Sequence, residues 1–247
     1  MLTAAALAGI PEVRAGEDLA ALLAAAAGTL ADGDVLVVAH KIVSKSEGRT
    51  VALAGVEPGE RAIVLGAEHG KDPRLVEVIL AESEAIVRAR PGVLICRTAH
   101  GFVCANAGVD ASNAGAEGDV VLLPQDPDAS ARALRGRLRE LTGVAPAIVI
   151  ADSFGRAWRV GQCDVAIGIA GLAALDDWRG RHDGAGRPLE ATVIAVADAA
   201  AAAADLTRGK DSRQPAVLVR GLQRYVSAGD GPGAAALVRA RGEDLFL

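Results

Sequence analysis

An α+β fold built on an irregular mixed sheet is what this sequence predicts, and three observations carry that expectation. Hydrophobic residues make up 51% of the 247-residue chain and charged ones 23%, enough to pack a core and too apolar for a disordered chain. Strand-length apolar runs outnumber helical stripes, at roughly seven or eight to five. The two kinds do not alternate strictly, as a doubly wound sheet would require. The length suits one domain over residues 1–247, with room for two subdomains. Aromatics are only 2%, so the core must be aliphatic.

The elements follow in order. A first helix is expected from about Glu17 to Leu30, with acids in its first turn favouring the positive end of the dipole and Leu19, Leu22 and Leu23 at helical spacing. Asp32-Gly33 signals a turn, and Val35 to Ala39 reads as a buried strand. Asp72-Pro73 looks like an N-cap with proline at the first helical position. Leu75, Val76, Ile79 and Leu80 continue that helix to about Arg88. Val93–Thr98 and Phe102–Asn106 suggest a hairpin turning at His100-Gly101, and Val120–Leu123 is a further short apolar run. A helix from about Pro127 to Thr142 aligns Leu134, Leu138 and Leu141, and Gly143 suits its C-terminal cap. Ala147–Ala151 reads as a strand ending at Asp152. The runs 165–172, 192–196 and 216–219 add strands, and the alanines of 197–206 favour helix.

The formal charge of −5 argues against binding nucleic acid by bulk charge. It leaves room for a small anion where cations gather locally or a metal mediates. Cys96, Cys104 and Cys163 cannot all pair with one another and match no zinc spacing, so buried free thiols are expected. The N-terminus lacks a positive n-region, and no segment offers the ~18–20 uninterrupted apolar residues of a bilayer span. A soluble cytoplasmic protein, not a membrane one, is the expectation.

Three polar segments could carry chemistry. Asn106-Ala107-Gly108-Val109-Asp110-Ala111-Ser112-Asn113 follows a strand, and its Asp110 and Asn113 suit either a ligand or an Asx-turn. Asp152-Ser153, with Gly155-Arg156 and Arg159 behind it, ends a hydrophobic strand, where binding groups collect. Carboxylates and a hydroxyl suit Mg²⁺ or Mn²⁺ beside phosphate oxygens, although Asp152 could equally pair with Arg156 on the surface. Ser44-Lys45-Ser46-Glu47-Gly48-Arg49 reads as a loop whose Lys45 could reach a phosphate, without the spacing of a Walker A loop. Thr207 to Ser212 is a similar polar loop, and either loop could be plain solvated surface. His40, at a strand end, reads as a surface or hydrogen-bonded histidine that could touch a ligand. Trp158 reads as a partly buried structural tryptophan, and Cys163 lacks an activating neighbour.

In one order the chain carries Gly9-Ile10-Pro11, Ser44 to Arg49, Asn106 to Asn113, Leu123-Pro124 with Asp126-Pro127-Asp128, and Asp152-Ser153-Phe154-Gly155-Arg156. Ala166-Ile167-Gly168 with Gly171, Asp177-Trp178 and Pro215 to Gly221 follow. This series resembles the coenzyme F420-0:L-glutamate ligase family, the γ-glutamyl ligases of deazaflavin biosynthesis, from about residue 9 to 222. The resemblance implies an unusual α+β fold forming an intertwined homodimer. It implies GTP-dependent addition of L-glutamate to coenzyme F420-0 through an acyl phosphate, with a divalent metal, Mg²⁺ or Mn²⁺, and K⁺ as a further candidate ion.

By the same likeness Asp110 and Asp152 would hold one metal and Ser153 would help hold a second. Ile10, Pro11, Glu12, Val13, His40, Lys41, Lys45 and Asn113 would border GTP, as would Gly209, Lys210, Asp211 and Ser212. Arg156 and Arg159 are candidates for the anionic groups of F420. His40-Lys41 stands where family members can carry small hydroxyl residues, and Lys210 where some place a Glu near the second metal. Some bacterial relatives add a C-terminal flavin-binding reductase domain, which this chain is expected to lack. Two rival readings remain: a related metal-dependent ligase acting on another acid, and a nucleotide-binding scaffold without turnover.

Overall fold

The computed structural model describes residues 1–244. In chain order the elements begin with β1 (Thr3–Ala6), α1 (Leu19–Ala27), β2 (Val35–Ala39), α2 (His40–Ser46) and β3 (Thr50–Ala52). Next come α3 (Glu60–His69), α4 (Pro73–Ala81), β4 (Ser83–Arg90), β5 (Val93–Thr98), β6 (Val103–Ala105), β7 (Asp119–Val121) and α5 (Pro127–Thr142). The remainder is β8 (Ala147–Arg156), β9 (Arg159–Ala170), β10 (Leu175–Asp177), β11 (Val193–Ala195), α6 (Val196–Asp205) and β12 (Ala216–Arg220).

The expected α+β class holds. A five-stranded sheet of order β1-β12-β2-β8-β9 forms the centre, with β2 and β8 parallel and its other pairs antiparallel. Period-two alternation sends Leu36, Val38, Ile148 and Ile150 to one face, where they pack with Leu19, Leu23, Leu134 and Leu138 of α1 and α5. Val35, Val37, Val149 and Val217 face the other way, against the alanines of α6. A smaller core joins α3, α4 and the β4-β5-β6 sheet through Val76, Ile79, Leu94 and Cys96. None of the described helices is long and apolar enough to cross a membrane.

Several expectations need correction. The helix beginning at Pro73 stops at Ala81, because residues 83–90 pair with β5 across a turn at Pro91-Gly92, where Gly92 takes φ +82°. Cross-strand pairing there overrides the helical spacing. Strand β8 runs beyond Asp152 to Arg156, held by its hairpin with β9. Ser44, Lys45 and Ser46 lie on α2 rather than in a loop, with Ser44 and Lys45 buried. Trp158 sits at the tip of the β8–β9 hairpin and is 80% exposed, so it is no core residue. Cys96 and Cys104 are buried free thiols as expected, while Cys163 is half-buried.

Candidate active site

Parallel pairing of β2 and β8 ends at Ala39 opposite Ala151. The next residues, His40 and Asp152, therefore emerge side by side at the carboxyl edge of the sheet, the place where open sheets gather ligands. His40 Nε2 lies 3.3 Å from Asp152 Oδ1. Asp152 thus meets the buried His40, not Arg156, whose guanidinium donates to the carbonyls of Val160 and Gly161 in the hairpin turn.

Asp110 reaches the same edge from the smaller core. Its backbone exchanges hydrogen bonds with Val121 at 3.0 and 2.8 Å, and three successive left-handed residues, Asn106, Ala107 and Gly108, bend the chain towards it. A side chain at Gly108 would run into Leu123, so the segment needs glycine there for both conformation and space. The expected Asx-turn forms, with Ser112 N donating to Asp110 Oδ1 at 2.7 Å. The other oxygen, Oδ2, pairs with Lys41 Nζ at 2.7 Å. Lys41 also donates to the Ser112 carbonyl and hydroxyl.

Lys41 links the two acids electrostatically. Burial raises the Asp110 carboxyl, but Lys41 and the Ser112 donors outweigh it and hold the group below 3.8. For Asp152 burial again raises, and His40, the Ser153 N–H and Lys41 together hold it below 3.8. Both are therefore ionised at neutral pH. Cys104, by contrast, is pushed up to about 12 by burial and then by Asp152, which leaves it a thiol without nucleophilic character.

Two ionised carboxylates facing one ammonium suit a divalent cation. His40 Nε2 adds a buried nitrogen that makes no directed hydrogen bond. Hard oxygens with an imidazole in reserve fit Mg²⁺ or Mn²⁺. Among the described residues no three His, Cys, Asp or Glu side chains cluster as a complete protein-supplied metal set, so such an ion would draw other ligands from substrate or water.

Further along α2, a cleft of about 410 Å³ is bordered by Glu12, Val13, Lys45, Thr50 and Ala114, among others, with Asp110, Asp152, His40 and Lys41 outside its lining. Lys45 is paired there with Glu12. Ile10 and Val13 place their side chains in the core, so Pro11 and Glu12 are the exposed members of that segment, and Asn113, exposed and left-handed, adjoins the cleft at Ala114. A hollow of about 220 Å³ between α1, α2 and α5 is rimmed by Glu17, Asp18 and Glu47 together with Arg137, which pairs with Asp18.

On the opposite face of the sheet Ser153 meets the 207–212 loop. Ser153 Oγ donates to Asp164 Oδ1 at 2.5 Å, Arg208 Nη2 pairs with Asp164 Oδ2 at 2.6 Å, and Lys210 Nζ donates to Ser153 Oγ at 2.8 Å. Gly209 and Ser212 close the loop through the Ser212 hydroxyl on the Gly209 carbonyl, and Asp211 points to its exposed side. Sequence reasoning did not single out Asp164, and it read Arg208 only as part of the 207–212 polar loop. An acid opening the apolar run 163–170 is a readable signal for Asp164, since a charge within a buried strand must be paired. Arg156 lies at the hairpin end, four residues along β8 from Asp152, roughly 13 Å at strand rise, and Arg159 opens β9 opposite it.

A sequence profile of the F420-0:Gamma-glutamyl ligase family matches residues 9–221. This chain belongs to that family. Among its relatives, the Coenzyme F420:L-glutamate ligase of Methanopyrus kandleri is 48% identical over 237 residues, covering 95% of this chain and 93% of the relative. The protein of the same name from Methanothermobacter thermautotrophicus is 44% identical over 243 residues, 96% of each chain. That from Haloarcula marismortui is 44% identical over 247 residues, 97% of this chain and 93% of the relative. Members of this γ-glutamyl ligase family are thus similar to the present chain through both cores, not through one.

Proposed function

We propose that this chain adds L-glutamate to coenzyme F420-0 in a GTP-dependent ligation through an acyl phosphate, releasing GDP and phosphate. Family membership and the relatives' names support the acceptor and the amino acid. The observation that carries the chemical part is the pairing of Asp152 with His40 and of Asp110 with its neighbour Lys41 at one sheet edge, with Lys45 on the same helix in a cleft.

A carboxylate does not accept an amine until its oxygen becomes a leaving group. The acceptor carboxylate oxygen attacks the γ-phosphorus, the bond to the β–γ bridging oxygen breaks, and GDP departs. The glutamate amine then attacks the acyl carbon, loses a proton and expels inorganic phosphate. Such transfer depends mainly on positioning and charge neutralisation, in keeping with a site rich in charges and without a nucleophile–base pair. Lys45 exchanges Glu12 for a phosphate oxygen, and Lys41 neutralises charge beside Asp110. Asp110 and Asp152 would hold the divalent ion, Mg²⁺ or Mn²⁺, which supplies Lewis-acid neutralisation of phosphate charge when bound. Pro11, Glu12, His40, Asn113 and the Gly209–Ser212 loop border GTP in this reading, and Arg156 and Arg159 take an anionic group of F420. A homodimer is part of the proposal: Val160, 97% exposed, and Trp158 offer apolar surface at the hairpin tip for a second copy.

The test is incubation with F420-0, GTP, Mn²⁺ and L-glutamate, followed by mass analysis. Product heavier by glutamyl units is expected. Turnover with another acid and none with F420-0 would favour the related ligase, and GTP binding without phosphate release would favour a scaffold.

A further inference from the structure

We propose that Lys210 is a built-in cation standing in the place of a second divalent ion beside Ser153, so that the protein takes up one such ion and not two. The inference rests on the reading of Asp110 and Asp152 as an ion site.

The resemblance assigns Ser153 to a second metal, and the surroundings of Ser153 do not fit that role. Its hydroxyl proton is committed to Asp164 Oδ1 at 2.5 Å. Its oxygen accepts from Lys210 Nζ at 2.8 Å. Lys210 also pairs with Asp205 Oδ1 at 2.8 Å and Asp164 Oδ1 at 3.5 Å. The remaining Asp164 oxygen takes Arg208 at 2.6 Å. The oxygens that an ion beside Ser153 would use thus already accept hydrogen bonds from Lys210 or Arg208.

Charge decides the matter further. Arg208 and Lys210 face Asp164 and Asp205, two cations against two carboxylates, and the cluster closes to neutrality. Asp164 is 1% exposed, so the balance is struck where solvent screens weakly. A divalent ion entering beside Lys210 would leave two surplus positive charges there. Across the sheet, Asp110 and Asp152 face Lys41 and an imidazole that is charged only when protonated, and that centre has anionic charge to spare. The ammonium of Lys210 also ties the 207–212 loop to β8, while Arg208 ties it to the Pro215 carbonyl at 3.0 Å. A fixed positive charge therefore sits one residue along β8 from Asp152, without an exchangeable ion to deliver it.

Mn²⁺ alone, titrated into the full chain and followed by loss of the free-ion electron paramagnetic resonance signal, tests this. The expected stoichiometry is one Mn²⁺ per wild-type chain, still one in Ser153→Ala, none in Asp110→Asn, and two in Lys210→Glu, which turns the cluster anionic. Two ions in wild type, one lost with Ser153→Ala and the other with Asp110→Asn, would overturn the Lys210 assignment and leave the Asp110–Asp152 site standing. One ion in a folded Lys210→Glu variant would overturn it as well. No ion in wild type, or one indifferent to Asp110→Asn, would bring down the ion site itself and the inference with it. The wild-type and Ser153→Ala counts decide the question even where Lys210→Glu fails to fold.

Discussion

Asp152 and Ser153 are neighbours on one strand, yet the strand's alternation sends them into two differently built settings. On the Asp152 side, carboxylates from two separate cores pair with neighbouring residues of α2, Asp110 with Lys41 and Asp152 with an imidazole nitrogen without a directed partner. On the Ser153 side, each charge has an opposite charge within reach, and Asp164 is sealed from solvent. An under-neutralised cluster is poised to bind; a neutral, internally bonded one is poised to hold shape. The comparison teaches that the presence of acids says little about binding until their counter-charges are counted.

The largest effect should come from breaking the first cluster. Asp110→Asn removes charge without volume, and glutamyl transfer should fall by ~10²–10³ or more, a loss far larger than the modest stability lost with the Lys41 pair. A variant with near wild-type turnover would dissolve the distinction between the two faces. Breaking the second cluster should act on stability instead. Asp164→Ala strands Arg208, a buried partner, and should cost about 3–5 kcal/mol of unfolding free energy. Chemical denaturation measures it, and a loss below about 1 kcal/mol would mean that the cluster does not hold the fold.

Lys45→Ala should come next, raising the GTP KM by ~10-fold, the worth of one charge-assisted hydrogen bond, with a smaller change in kcat. An unchanged KM would remove Lys45 from the nucleotide cleft. The smallest effect is a pH dependence. The Asp110 carboxyl is held below its ordinary 3.8, so its ionised form contributes stability above that value and loses it as pH falls through the lower folded value. The stability margin of wild type over Asp110→Asn should therefore stay level from about pH 7 to 5 and narrow in acid below about pH 4; a margin that grows in acid would reverse the sign of the argument.

Much of this was legible in the sequence. Asp126-Pro127 and Gly143 bound α5 as capping rules require, and β2 has the limits its apolar run suggests. What failed did so where long-range pairing decides: residues 83–90 carry a helix-compatible pattern but find a strand partner, and Ser44–Ser46 look polar although α2 buries Ser44 and Lys45 at the sheet edge. In the site, Asp110 and Asp152 could be named separately, Asp110 from the short polar segment that follows a strand and Asp152 from its place at the end of an apolar strand. That they belong together came from the family likeness alone, because the residues by themselves do not reveal the parallel β2–β8 register and the left-handed Asn106–Gly108 bend that set them at the sheet edge. Asp126-Pro127-Asp128, part of the motif series, proves to be structural in this chain: Asp126 caps α5, and Asp128 accepts from the Ile169 and Ala234 N–H groups.

The claim that two distant carboxylates work as one centre is tested most directly by a double-mutant cycle on kcat with Asp110→Asn, Asp152→Asn and both together. If they serve one bound ion, the double variant should be scarcely slower than the worse single one, because the first loss already empties the centre. Multiplicative losses, with the double variant slower by the product of the two single effects, would show that Asp110 and Asp152 act independently and would contradict the account.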